Sequence, residues 1–235
     1  MEFSSPLIRG TLLKRYKRFL ADVRLEDGTT ITATCPNTGT MLGLTEPGLV
    51  VFLSRSDSTT RKYAHTWEIT ERPGFGLIGI NTGRPNRLVE EAIGTGLIAQ
   101  LSGYETIRRE VKYGANSRID LLLEASGKPP CYVEIKNVTL YRRPGLAEFP
   151  DCVTERGTKH LYEMSKMVEA GHRAVMVYCI QGGGAEAFAL TPDIDPVYDG
   201  AYARARAQGV EAVAVTCHVG RDGIFVTGTV PVLEK

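Results

Sequence analysis

Two stretches decide how this chain is read: Ser117-Arg118-Ile119-Asp120-Leu121-Leu122-Leu123-Glu124 and, a short turn later, Cys131-Tyr132-Val133-Glu134-Ile135-Lys136-Asn137-Val138. Both are strand-like, rich in β-branched and aliphatic residues and bounded by turn formers, with Ser126 to Pro130 between them. Side chains alternate faces along a strand, so Glu134 and Lys136 project to one side while Val133 and Ile135 enter the core. Asp120 precedes Glu134 by 14 positions, and a tight turn brings the two carboxylates together. Charges inside such apolar segments are expensive unless they have a purpose. Two converging carboxylates repel, and a hard divalent cation relieves that repulsion. Mg²⁺ or Mn²⁺ is therefore the expected cofactor. Asp120 and Glu134 are the expected ligands, and Lys136 the cation that orients an attacking water or offsets charge on a phosphoryl oxygen.

Upstream of this pair, Leu88, Val89, Ala92, Ile93, Leu97 and Leu101 recur at helical spacing and predict a helix over 86–101. Strands are expected at 104–113, 118–124 and 131–137, with a turn from Gly114 to Ser117. A helix over about 154–170 and a strand at 173–180 follow. The order α-β-β-β-α-β, with the acidic pair on the second and third strands, is that of a restriction-endonuclease-like (PD-(D/E)XK) domain. A further helix is expected at Asp199–Gln208, and a closing hairpin from Val210–Val219 and Gly223–Val232. The first helix carries Glu90 and Glu91, either of which is positioned to approach the metal. The second begins with Thr154-Glu155-Arg156-Gly157-Thr158-Lys159-His160, where Arg156, Lys159 and His160 meet phosphate at a positively polarised helix start, or else form a capped, charged first turn. Arg118, beside Asp120, is a further candidate phosphate contact.

The first 80 residues read differently. Leu7–Leu13, Phe19–Leu25, Thr29–Thr34, Leu49–Leu53 and Lys62–Thr70 are short extended segments without helical period. They suggest a small β-barrel of the oligonucleotide-binding (OB) type, with an SH3-like barrel as the alternative. The fold class is thus α+β: an OB-like barrel over 1–83, then the nuclease-like domain over 84–235. The formal net charge of +1 hides an asymmetry, since residues 1–85 hold 11 Lys+Arg against 8 Asp+Glu and the remainder 17 against 19. Lys14, Arg15, Tyr16, Lys17, Arg18 and Phe19 combine phosphate attraction with rings able to stack on bases. A solvated strand edge with gatekeeper charges is the competing reading. Cys35, Cys131, Cys152, Cys179 and Cys217 form no Cys-x-x-Cys pair and read as buried reduced thiols. No apolar run approaches the roughly 18 residues of a bilayer span, and a cytoplasmic location is expected. A single tryptophan, Trp67, gives a carbohydrate-binding module little support, and no helix-turn-helix is evident.

These motifs, together with Phe149-Pro150-Asp151, Cys35-Pro36-Asn37-Thr38-Gly39, Asn81-Thr82 and Pro85-Asn86-Arg87-Leu88-Val89, resemble the sugar fermentation stimulation protein (SfsA) family over nearly the whole chain. The resemblance implies an OB-type domain joined to a nuclease-like one. It also implies binding of nucleic acid, DNA first, and an association with regulation of sugar (maltose) metabolism genes. Cleavage by the second domain, and a non-cleaving regulator that uses the nuclease fold as a scaffold, are both compatible with it. By carry-over Asp120, Glu134 and Lys136 match the nuclease motif, and Glu91 matches the family's helix glutamate better than Glu90. Thr158 departs from the pattern, where a Gln is expected before Lys159-His160.

Overall fold

The computed structural model describes residues 1–114 and 117–234. The barrel strands are β1 (Ile8–Tyr16), β2 (Leu20–Leu25), β3 (Thr30–Thr34), β4 (Val50–Arg55), β5 (His65–Arg72) and β6 (Gly76–Gly79), in the order β3-β2-β1-β4-β5-β6. A parallel pairing of β3 with β5, Ala33 opposite His65 and Thr34 opposite Thr66, closes five of them into the OB-type barrel. Trp67 fills its interior, fully buried, with Nε1 donating to the Ile69 carbonyl and the Thr70 hydroxyl at 3.1 Å each. It is a core residue and offers no exposed platform to a sugar. β6 is not apparent in the sequence, being four residues that open on a glycine with φ of 77°.

The second half begins with α1 (Pro85–Gly94), shorter than the helix expected over 86–101. Gly96, at φ 75°, ends it: the N–H of Gly96 bonds to the Ile93 carbonyl and that of Leu97 to the Ala92 carbonyl, a Schellman closure that only a residue tolerant of left-handed backbone makes cheaply. Strands β7 (Thr106–Tyr113), β8 (Ser117–Glu124) and β9 (Cys131–Val138) follow. The turn expected between β7 and β8 runs through Ala115 and Asn116, which lie outside the described residues. Next come β10 (Leu140–Arg143), β11 (Leu146–Phe149), α2 (Glu155–Glu169), β12 (Arg173–Ile180), β13 (Ala187–Leu190) and α3 (Pro196–Ala207). The chain closes with β14 (Glu211–Val219), β15 (Ile224–Val230) and β16 (Val232–Leu233). The main sheet has the order β15-β14-β12-β9-β8-β7, with β9, β12 and β14 parallel at its centre. A small second sheet, β10-β11-β13-β16, stands beside it.

Strand alternation sorts the core. Val133, Ile135, Val175 and Val177 pack with Leu88, Val89 and Ala92 of α1, while Ala174, Met176 and Tyr178 pack on the other face with Leu161 and Met164 of α2. Met176 pairs with Glu134 and Tyr178 with Lys136, so both polar residues emerge on the α2 face. The apolar cluster on that face continues into the barrel through Ile78, Ile80, Leu12 and Trp67. Polar bonds pin the junction. Buried Glu68 receives Arg84 at 2.7 Å, Asn81 at 2.8 Å and Ser54 at 2.7 Å, and the Gln181 amide donates to the Asn81 carbonyl at 3.1 Å. The first residues join the second half, where the Phe3 N–H bonds to the Asp222 carbonyl. No helix among the described residues is long and apolar enough to cross a membrane.

Candidate active site

The β8–β9 ladder is regular from Leu123/Cys131 to Leu121/Val133 and then stops. The next pair in that register is Asp120 and Glu134. With the ladder open, the Ile135 N–H lacks a strand partner and donates instead to Asp120 Oδ2 at 2.7 Å. Asp120 Oδ1 accepts from the Asn86 amide, at the start of α1, at 2.9 Å. Burial and the nearby Glu134 charge raise the Asp120 carboxyl above its ordinary range, against the pull of those two hydrogen bonds. Glu134 is 3% exposed. Burial pushes its carboxyl up, but a hydrogen bond from His160 and the Lys136 charge outweigh that and hold it below the ordinary value. Lys136 Nζ lies 2.7 Å from Glu134 Oε1, the His160 ring contacts the same oxygen, and Oε2 is buried with no hydrogen-bond partner among the described residues.

Two further polar atoms near this point are also buried without partners among the described residues, the Tyr113 hydroxyl and Glu163 Oε2. Burial and the charges of Glu134, Glu163 and Asp120 push the Tyr113 phenol far up, so it stays protonated. Neither residue is singled out by its sequence context. Tyr113 ends an ordinary strand, and Glu163 reads as a helix-surface carboxylate paired with Lys159, which it meets at 3.8 Å. Asn86 stands within a motif of the sequence, but its bond to Asp120 depends on tertiary placement.

The structure thus brings Asp120, Glu134 and Lys136 together and distributes the other expected site residues differently. Glu91 accepts from the Met1 ammonium at 2.9 Å and from Arg87 at 2.8 Å, because a buried terminal charge needs a counter-ion. Glu90 pairs with Arg109 at 2.6 Å. Neither glutamate of α1 is hydrogen-bonded to the site. His160 falls on the buried stripe of α2 with Gly157, Leu161 and Met164, so it turns inward onto Glu134, away from any phosphate at the helix start. Arg156, Lys159 and Arg118 remain exposed.

In the barrel, a register break between Leu12 and Lys14 disrupts the alternation of β1. Arg15 is thereby drawn into structure: its guanidinium donates to the carbonyls of Arg18 at 3.0 Å, Asn37 at 2.7 Å, Gly39 at 3.0 Å and Thr40 at 3.4 Å. The expected nucleic-acid role of Arg15 gives way to this bracing. Lys14 and the Tyr16 hydroxyl both engage Asp22, at 3.4 and 3.0 Å. Lys17 and Arg18 form the turn, both exposed and both at positive φ, 50° and 65°, beside Phe19, which is 54% exposed. All five cysteines are free, Cys152 half-buried and the others buried.

Among the described residues no three His, Cys, Asp or Glu groups converge as a ready-made metal cage. The donor set nevertheless fits a hard cation. It offers two carboxylates and one orphaned buried oxygen, Glu134 Oε2, and Mg²⁺ is usually held by one or two carboxylates together with phosphate oxygens and water. Comparison with known proteins agrees with the fold. Residues 13–80 match the SfsA N-terminal OB domain and residues 83–223 the sugar fermentation stimulation protein RE domain. The chain is 57% identical over 232 residues to a sugar fermentation stimulation protein homolog of Brucella ovis, covering 99% of this chain and 97% of that one. It is 56% identical over 234 residues to the Agrobacterium fabrum homolog, covering 100% and 98%. The structure of Pyrococcus furiosus SfsA in complex with Ca²⁺ superposes with a TM-score of 0.89 at 28% identity, covering 100% of this chain and 98% of that one. With its OB-type barrel, its nuclease-like sheet and two family models matched in order, the chain belongs to the sugar fermentation stimulation protein family.

Proposed function

We propose that the protein is a divalent-metal-dependent phosphodiesterase acting on nucleic acid, DNA first, in the cytoplasm. One observation carries the reading: Asp120 and Glu134 meet where the β8–β9 ladder opens, with Lys136 at 2.7 Å on one Glu134 oxygen and the other oxygen buried and unpartnered. Asp120 and Glu134 would hold Mg²⁺ or Mn²⁺, and the cation when bound would supply Lewis acidity toward a phosphoryl oxygen and a water of lowered pKa. Lys136 orients the attacking water or offsets charge growing on the phosphoryl oxygens, and its point charge on a flexible stem suits that role. The Ile135 N–H and Asn86 fix the Asp120 rotamer, so the carboxylate is set before substrate arrives. The exposed Lys17-Arg18-Phe19 tip offers two phosphate contacts and one stacking ring. The Ca²⁺ complex of the Pyrococcus relative supports the choice of a hard divalent ion.

The test is incubation of the full chain with labelled single- and double-stranded DNA and RNA, in Mg²⁺, Mn²⁺ or EDTA, beside Lys136→Ala. Metal-dependent cutting that the variant loses while still binding is expected. Binding without cutting by either protein, in every metal, would instead favour a regulator that uses the nuclease fold as a scaffold.

A further inference from the structure

His160 makes a specific set of contacts that the roles above do not use. Its side chain is 5% exposed, with Nδ1 against Glu134 Oε1 and 3.2 Å from Lys136 Nζ, while Nε2 stands 3.4 Å from Arg156 Nε. A guanidinium has donors only, so the ring nitrogen facing Arg156 must be the acceptor. The proton of a neutral ring then sits on Nδ1. The ammonium of Lys136 directs a hydrogen at Glu134 Oε1, and Nδ1 lies against that same carboxylate oxygen, which can only accept, so Nδ1 must donate. Two donors, Nδ1–H and Nζ–H, therefore converge on a single carboxylate oxygen. The other oxygen has no partner among the described residues.

We infer that His160 is a positioning residue for Glu134: as the Nδ1–H tautomer, fixed by Arg156, it shares Oε1 with Lys136 and keeps Oε2 directed to an incoming hard cation. This rests on reading Glu134 as a metal ligand. The logic is that of histidine and carboxylate partners behind metal ligands, in which the outer group fixes a rotamer and never touches the ion. Helix α2 supplies the rigidity. Thr154 caps it through the Gly157 N–H at 3.1 Å, and Asp195, itself capping α3, accepts from the Thr154 N–H at 2.8 Å. Arg156 and His160, four residues apart, then lie one above the other on one helix face.

Two measurements test it. The first is ¹⁵N-imidazole NMR of the metal-free full chain, which reads the tautomer directly. A proton on Nδ1 in the wild type, with mixed tautomers in Arg156→Met, is expected; a proton on Nε2 in the wild type overturns the inference whatever metal does. The second is Mn²⁺ binding followed by the free-ion EPR signal. An asparagine amide nitrogen takes the place of Nδ1 and a glutamine nitrogen that of Nε2, so the two variants separate hydrogen bonding from bulk. His160→Ala and His160→Gln should weaken Mn²⁺ by about 10- to 100-fold, and His160→Asn by no more than about 3-fold. Equal losses in Asn and Gln, or wild-type affinity in a folded His160→Ala, would overturn it. A wild type that takes no Mn²⁺ at all refutes the proposed function instead, and the tautomer then decides the role of His160 alone.

Discussion

Replacing Lys136 with methionine keeps length and removes charge, and the structure sets what should follow. The Lys136 and Glu134 side chains are 13% and 4% exposed and meet at 2.7 Å. Removing one member of a buried pair typically costs about 3–5 kcal/mol, because the survivor's charge is stranded. Here the His160 Nδ1–H stays on the same oxygen, so the lower end, about 3 kcal/mol, is expected. For a chain of this size each kcal/mol moves Tm by about 2–4 °C, which places Lys136→Met about 6–12 °C below wild type in EDTA. Saturating Mn²⁺ should narrow the gap, since a bound cation supplies the charge that Lys136 supplied. Because wild type binds the ion too, the gap closes by about 1.4 kcal/mol for each tenfold by which the variant binds Mn²⁺ more tightly than wild type does. Adding Glu134→Gln removes the stranded charge and should recover about 1–3 kcal/mol of the loss. Thermal unfolding of the three proteins followed by circular dichroism, with and without Mn²⁺, reads each of these differences. Single-turnover cleavage, if the proposed function holds, should fall by about 100-fold in Lys136→Ala with substrate affinity little changed, and Lys136→Arg should rescue poorly. A Lys136→Met protein that melts within about 1 °C of wild type in EDTA would show that no buried charge depends on Lys136, and the energetic account of the site would fall.

The two carboxylates should leave opposite marks on the pH dependence of stability. Glu134 is held below 4.5, so its contribution is present above that value and lost as pH falls through its folded-state titration; Glu134→Gln should flatten this acid limb in urea midpoints. Asp120 is raised above 3.8, so its contribution is greatest in acid and lost as pH rises through its folded-state value. Asp120→Asn should therefore gain on the wild type as pH climbs above 3.8, and parallel profiles for the two proteins would contradict this. At the hairpin tip, Lys17→Asn with Arg18→Gly supplies residues that accept left-handed backbone. The double variant should be more stable by about 1–2 kcal/mol while lowering the log–log salt slope of nucleic-acid binding by about 1.4–1.8. Unchanged salt dependence would return these two cations to ordinary surface charge. Arg15→Ala should instead destabilise by about 2 kcal/mol, as befits charge-assisted bonds to backbone carbonyls, and a neutral outcome would deny its bracing role.

The parts of the fold visible in the sequence are those in which local pattern and tertiary environment agree. The five barrel strands and β7, β8, β9 and β12 alternate or run apolar as their positions demand, and the acidic pair lies where alternation puts it. The parts that local pattern does not reveal depend on long-range events. The sheet β10-β11-β13-β16 has strands of four residues or fewer, too short for a period to show. α3 begins at Pro196, earlier than its apolar pattern suggests, although Asp195 followed by proline is a start signal of the expected kind. Arg15 looked like its neighbours Lys14 and Lys17 because a register break inside β1 leaves no trace in composition. Glu91, expected at the metal, is claimed instead by the Met1 ammonium, a partner some ninety residues away in the chain that no local pattern announces.

The hairpin tip and Glu134 lie in different halves of the chain, yet a short series of largely part-buried bonds leads from one toward the other. Arg15 fixes the carbonyls of Asn37, Gly39 and Thr40 behind the tip. The next residue, Met41, donates its N–H to Asp151 Oδ2 at 2.9 Å. Gly39 closes the same junction: a Cβ there would stand 3.0 Å from the Asp151 carboxylate and 3.1 Å from Asn37 Oδ1, so a side chain would make both shift by a few tenths of an ångström. Three residues past Asp151, Thr154 caps α2, and one turn and a half into that helix His160 reaches Glu134. The links are hydrogen bonds from Arg15 to the loop and from the loop to Asp151, then two stretches of chain, Asp151 to Thr154 and Thr154 to His160, and last the contact of His160 with Glu134. Arg15, half-buried where Lys14, Lys17 and Arg18 are exposed, is the member of the basic cluster that belongs to this series, which makes its loss a matter of stability ahead of charge.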